Sequence, residues 1–132
     1  MVPMELVRVP TLTQEVPYAY AAVAPGGAVY AAGACPLDEV GDVVSPGDVA
    51  GQAERVMQNL DLALHAAGCG LDDVLKTTVY VASSDRADLV TAWNVVRAAF
   101  GDHDPPSTLL GVAVLGYPDQ LVEVEAVAVR PA

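Results

Sequence analysis

Residues Tyr18 to Cys35 form an 18-residue run without a single charged side chain. A run of that length and polarity suits either a membrane span or strands buried in a sheet. Pro25, Gly26 and Gly27 decide between the two. They interrupt the run at its middle, where a helix interior accepts them poorly and a turn suits all three. Ala19 to Val23 and Ala28 to Ala32 are therefore expected as the two strands of a hairpin around Ala24-Pro25-Gly26-Gly27.

The rest of the chain alternates helix and strand. Glu5 to Val9 reads as a short edge strand, and Asp42 to Val44 as a possible extension of the sheet. Ser45-Pro46-Gly47-Asp48 is a helix start, with Ser45 as the expected cap and Pro46 in the first helical position. Val49, Ala53, Val56, Met57, Leu60, Leu64 and Ala67 then recur at helical spacing until Gly68. Val74 to Val81 is rich in β-branched residues and predicts a strand. A second helix is expected from a Ser83 or Ser84 cap to about Phe100, with Gly101 as its terminator. Leu109 to Leu115 and Leu121 to Val129 are expected as strands, joined by the turn Gly116-Tyr117-Pro118-Asp119. Residues 1–132 make one domain. Two helices on one face of a mixed sheet leave the other face uncovered, and hydrophobic residues are 53% of the chain. Self-association is the simplest cover.

Charge narrows the partners. The formal net charge is -11, with only six Lys and Arg residues. Nucleic-acid binding takes most of its affinity from basic side chains on phosphates, and anionic membranes ask for the same chemistry. Neither partner is expected. Met1 to Pro10 has no apolar core of the kind a secretory signal carries, so a cytoplasmic location is expected. Cys35 and Cys69 belong to no CxxC or Cys/His cluster, so neither a metal site nor a disulfide is expected.

Several segments together carry a resemblance. They are Pro17-Tyr18, Val29-Tyr30-Ala31-Ala32-Gly33-Ala34-Cys35-Pro36-Leu37-Asp38, Ala66-Ala67-Gly68, Leu71-Asp72-Asp73-Val74-Leu75-Lys76-Thr77-Thr78-Val79-Tyr80 and Val122-Glu123-Val124-Glu125-Ala126-Val127-Ala128-Val129. In order and spacing this series is similar to the Rid (reactive intermediate deaminase) family, also called YjgF-like or endoribonuclease L-PSP-like. The resemblance runs from about Val16 to Val129. It implies a chorismate-mutase-like α+β fold, with a mixed sheet and two helices on one face. It also implies a homotrimer whose three sheets line a central barrel, with small-molecule sites in the clefts between subunits. The best-known activity of the family is hydrolysis of imine or enamine intermediates to 2-keto acids and ammonia, without metal or organic cofactor.

Carried over position by position, Tyr18 matches a tyrosine lining the cleft, and Gly33 the glycine of a Ser-Gly pair whose serine is here Ala32. Glu123 matches the glutamate that positions water, a role any well-placed carboxylate can fill. Glu125 lies on the same side of the strand and is read as structural. The family's Pro-Ala-Arg-Ser or Pro-Ala-Arg-Thr is replaced by Pro105-Pro106-Ser107-Thr108. Counting back from Val112 puts Ser107 at the arginine position, whereas counting forward from the prolines puts Thr108 there. Either count removes a guanidinium that would hold a substrate carboxylate through two parallel hydrogen bonds. Arg97, or Arg130 of a neighbouring subunit, is a candidate replacement. Three functions remain open. They are a Rid-type hydrolase of altered substrate choice, a non-catalytic ligand-binding or interaction protein on the same scaffold, and a ribonuclease, against which the acidic charge argues.

Overall fold

The computed structural model describes residues 3–132. Six strands and two helices follow one another as β1 (Glu5–Val7), β2 (Ala21–Val23), β3 (Ala28–Ala31), α1 (Val49–Ala66), β4 (Val74–Val81), α2 (Arg86–Phe100), β5 (Ser107–Gly111) and β6 (Val122–Val129). The strands form one sheet in the order β1-β2-β3-β6-β4-β5. Only the β4–β5 pair is parallel, because α2 carries the chain back across the sheet between them. Among the described residues no helix is long and apolar enough to cross a membrane.

The apolar run folds as the expected hairpin. Gly26 and Gly27 take φ of 99° and 97° at its turn, a conformation that glycine adopts without strain. Its strands are shorter than the run suggests, since Tyr20 and Ala32 pair outside β2 and β3 by a single bond, Ala32 N–H to Tyr20 C=O at 2.8 Å.

Both helix starts differ from the expectation. Asp48, not Ser45, caps α1 by accepting from Gly51 N–H at 3.0 Å. Gly47 at φ 79° turns the chain between Pro46 and the first helical residue, which puts Ser45 outside the helix. Asp85 caps α2, while the Ser83 hydroxyl donates to Asp88 at 2.7 Å and accepts from Asp85 N–H. The fifth strand also starts earlier than Leu109 and ends at Gly111. Its partner β4 starts facing it at Thr77 and runs out at Val81, so beyond Gly111 the ladder ends with Val112 N–H donating to Val81 C=O at 2.8 Å. Asp42 to Val44 adds no strand to the sheet; Val43 makes one bridge to Leu37.

Both helices pack on one face of the sheet. Along β6, Val122, Val124, Ala126 and Ala128 are buried, and the residues between them are more open. The core joins Val56, Leu60 and Leu64 of α1 to Ala92, Val96 and Phe100 of α2 over Val29, Val79 and Val124. The opposite face holds Tyr30 (55% exposed), Lys76, Tyr80, Glu123, Glu125 and Val127.

Candidate functional site

The site forms where the chain leaves β3 and crosses the N-terminal end of β6. Ala34 pairs with Val124 through two backbone bonds of 2.7 and 3.2 Å. That bridge sets Gly33 beside Glu123. A Cβ built on Gly33 would lie 2.2 Å from Glu123 Oε2, so the carboxylate occupies the space a side chain would need. A side chain here would displace the Glu123 carboxylate, so glycine keeps it in place by close approach rather than by a positive φ.

Glu123 is held from one side. Gln120, 4% exposed, donates from Nε2 to Glu123 Oε1 at 3.1 Å and to Val122 C=O at 3.1 Å. Its Oε1 accepts from Tyr117 N–H at 3.1 Å. The Cys35 thiol is 3.4 Å from both Glu123 Oε1 and Gly33 C=O. Burial, and then the neighbouring Glu123, push this thiol up to about 12. Cys35 therefore stays protonated near neutrality, as a donor rather than a nucleophile. On the wall of the same cavity the Tyr18 and Tyr117 hydroxyls meet at 3.0 Å. Burial and then that hydrogen bond raise the Tyr18 phenol far above its usual range. The resulting open cavity measures about 500 Å³ and is lined by Pro17, Tyr18, Ala32, Gly33, Cys35, Gly116, Tyr117 and Glu123.

Four of the expected site residues, Tyr18, Ala32, Gly33 and Glu123, are thus brought together in one chain. Ser107 and Thr108 are not part of this cavity, since β4 stands between β5 and β6. Ser107 pairs in register with the buried Thr77, whose hydroxyl donates to Ser107 Oγ at 2.7 Å. Thr108 is exposed on the uncovered face. Glu125 accepts from the Tyr80 hydroxyl at 2.6 Å, which agrees with a structural reading. Arg130 donates to Ala67 C=O at 2.9 Å and pairs with Glu5 at 3.2 Å, so within its own chain it is committed elsewhere. Arg97 is exposed on α2. Cys35 and Cys69 are both free thiols. Among the described residues no group of His, Cys, Asp and Glu could hold a metal ion.

Tyr117 and Gln120 are the two site residues that sequence reasoning missed. Tyr117 reads as turn filler between Gly116 and Pro118. Gln120 carries one usable signal: it is a lone amide between a turn and an otherwise apolar strand start.

The sequence profile of the family described as Endoribonuclease L-PSP matches residues 10–130. A RutC family protein of Pyrococcus abyssi is 36% identical over 115 residues, 86% of this chain and 87% of its own. The 2-iminobutanoate/2-iminopropanoate deaminase of Escherichia coli is 35% identical over 109 residues, 80% of this chain and 81% of its own. The crystal structure of the YjgF gene product of E. coli superposes with a TM-score of 0.82 at 31% identity, covering 96% of this chain and 99% of that one. Family profile, curated relatives and fold agree, and the chain belongs to the endoribonuclease L-PSP family, the Rid or YjgF-like proteins.

Proposed function

We propose that this protein is a Rid-type hydrolase that acts on an imine, an enamine or a related reactive metabolite in a cleft between subunits. The observation that carries the reading is the Glu123 carboxylate. One oxygen is held by Gln120 and Cys35, and the other lies over Gly33 at the cavity wall. A water molecule in that cavity can give its proton to Glu123 as its oxygen bonds to the imine carbon. With the substrate as its iminium, the proton then passes to the nitrogen, the C–N bond breaks as the new hydroxyl loses its proton to the departing ammonia, and a carbonyl compound and ammonium leave. Two relatives named as deaminases, of E. coli and mouse, support this class of reaction.

The substrate is altered by loss of the carboxylate-holding arginine, with Ser107, or less favourably Thr108, in its place. The Ser107 hydroxyl is already engaged by Thr77. A homotrimer supports the cleft, because it would cover the sheet face that the helices leave bare and would bring a neighbour's β5 towards Glu123. A non-catalytic ligand-binding role is the reading left if turnover fails. The test is ammonia release from freshly generated imines, with and without a carboxylate. Glu123→Gln should lower turnover by about 10²-fold or more while leaving the fold intact. Undiminished turnover in that variant would remove Glu123 from the mechanism, and no turnover on any imine would remove the hydrolase.

A further inference from the structure

We infer that Gln120 is the positioning residue of this site: its buried amide fixes the Glu123 carboxylate, so that one oxygen is spent inside the protein and the other is presented at the cavity wall. This deepens the proposed function by adding the residue that aims its base, and it rests on that reading only where turnover is concerned.

A glutamate does not aim itself. Its terminal torsion is broad and roughly two-fold, so a neighbour has to decide which way the carboxylate turns. Among the described residues of the chain, two side-chain donors reach Glu123, and both reach Oε1: Gln120 Nε2 at 3.1 Å and the Cys35 thiol at 3.4 Å. An S–H is a weak donor, whereas an amide N–H on a carboxylate makes a charge-assisted bond. Gln120 is therefore the main hold. Oε2 is left beside Gly33, which lines the cavity together with Glu123. Gln120 is 4% exposed and lies behind the cavity lining, so it acts through Glu123 rather than on a ligand.

The amide can face only one way. The Tyr117 N–H can only donate, and it reaches Gln120 Oε1 at 3.1 Å. The Val122 carbonyl can only accept, and it lies 3.1 Å from Nε2. These two backbone groups assign the oxygen and one amide hydrogen, and the second hydrogen is left for Glu123. A flipped amide would set its oxygen against a carbonyl and a carboxylate at once. The frame around Gln120 is anchored as well. Its own N–H closes the turn on Tyr117 C=O at 3.1 Å. Gln52 of α1, itself completely buried, ties Asp119 C=O on one side of it and Leu121 N–H on the other. Two buried glutamines in series thus connect the start of α1 to a carboxylate at the cavity wall. The competing reading is a glutamine that serves only Tyr117 N–H and Val122 C=O, with Glu123 as an incidental neighbour.

The experiment uses the full chain and has two arms. The first needs no substrate and no Gln120 variant. The Gln120 side-chain amide is followed by proton–nitrogen NMR, assigned from the backbone, in the wild type and in Glu123→Ala. The amide hydrogen on the carboxylate should move upfield when the charged acceptor leaves. An amide signal indifferent to Glu123→Ala would overturn the inference, and this arm decides even where Gln120→Met fails to fold. The second arm measures turnover of freshly generated imines. Gln120→Met should lower kcat about tenfold or more with KM changed less than about twofold, because the aim of the base is lost and the cavity lining is kept. In a Glu123→Gln background the same substitution should lower the residual turnover no further. An unchanged kcat, or an equal further loss in that background, would overturn the inference and leave the glutamine to its two backbone partners. A wild-type protein that turns over no imine loses the hydrolase, and the amide signal alone then decides whether Gln120 holds Glu123. A working hydrolase whose kcat ignores Gln120→Met keeps the proposed function and loses the inference.

Discussion

Cys35 shows how little a residue type says before its surroundings are known. A cysteine beside a glutamate and two tyrosines has the parts of a reactive thiol. Burial and the adjacent negative charge do the opposite and lift its pKa from the usual 9.0 to about 12. The folded state then keeps a proton that the unfolded chain gives up above about pH 9, so between pH 9 and 12 the unfolded chain binds fewer protons and stability falls. Cys35→Ala removes this titration. Urea denaturation at pH 8, 9.5 and 11 should show a shallower alkaline loss in the variant than in the wild type. Tyr18 and Tyr20, which Cys35 also pushes up, lose part of their own shift in the variant, so the difference reports Cys35 together with its effect on these neighbours. Tyr18, Gly33 and Glu123 were legible in sequence because each sits in a segment with a recognisable neighbourhood. Tyr117 and Gln120 were not, because a turn carries no periodicity to say which of its side chains points inward.

At the scale of elements, the start of α1 is tied to the loop that presents Glu123. Gln52 is completely buried, donates to Asp119 C=O at 2.9 Å, and accepts from Leu121 N–H at 2.7 Å. Gln52→Leu keeps the volume roughly constant and leaves both backbone groups without their partner. A cost of about 1–3 kcal/mol is expected, measured by urea unfolding. The amide ties the backbone on both sides of Gln120, whose side chain reaches Glu123. The helices themselves were legible from apolar spacing and from the terminal glycines Gly68 and Gly101, which adopt φ of 89° and 64°. Their caps were misplaced by a few residues because serine and aspartate compete for the same role. β5 was misplaced because Leu109 to Leu115 is apolar throughout, and only pairing with β4 decides which half becomes a strand.

For the whole molecule, the uncovered sheet face is the feature with the widest reach. Tyr30, Leu110 and Val129 are 55%, 43% and 41% exposed on it in the isolated chain. A second sheet face is the natural cover, and the trimer of the proposed function supplies three. Light scattering should give three times the 13.6 kDa chain mass. Val127→Glu, which adds a charge to that face without touching the helix-side core, should shift the population toward the single chain. A wild-type protein that stays monomeric at high concentration would leave the cleft without its second wall.

The contact between Gly33 and Glu123 also restricts how this site can change over generations. A methyl at position 33 and a full-length glutamate at position 123 claim the same volume. Position 123 can shorten while glycine stays at 33, but a side chain at 33 makes Glu123 swing its carboxylate off the wall or shorten. The two positions are therefore coupled, and the effect of a residue at 33 depends on what already stands at 123.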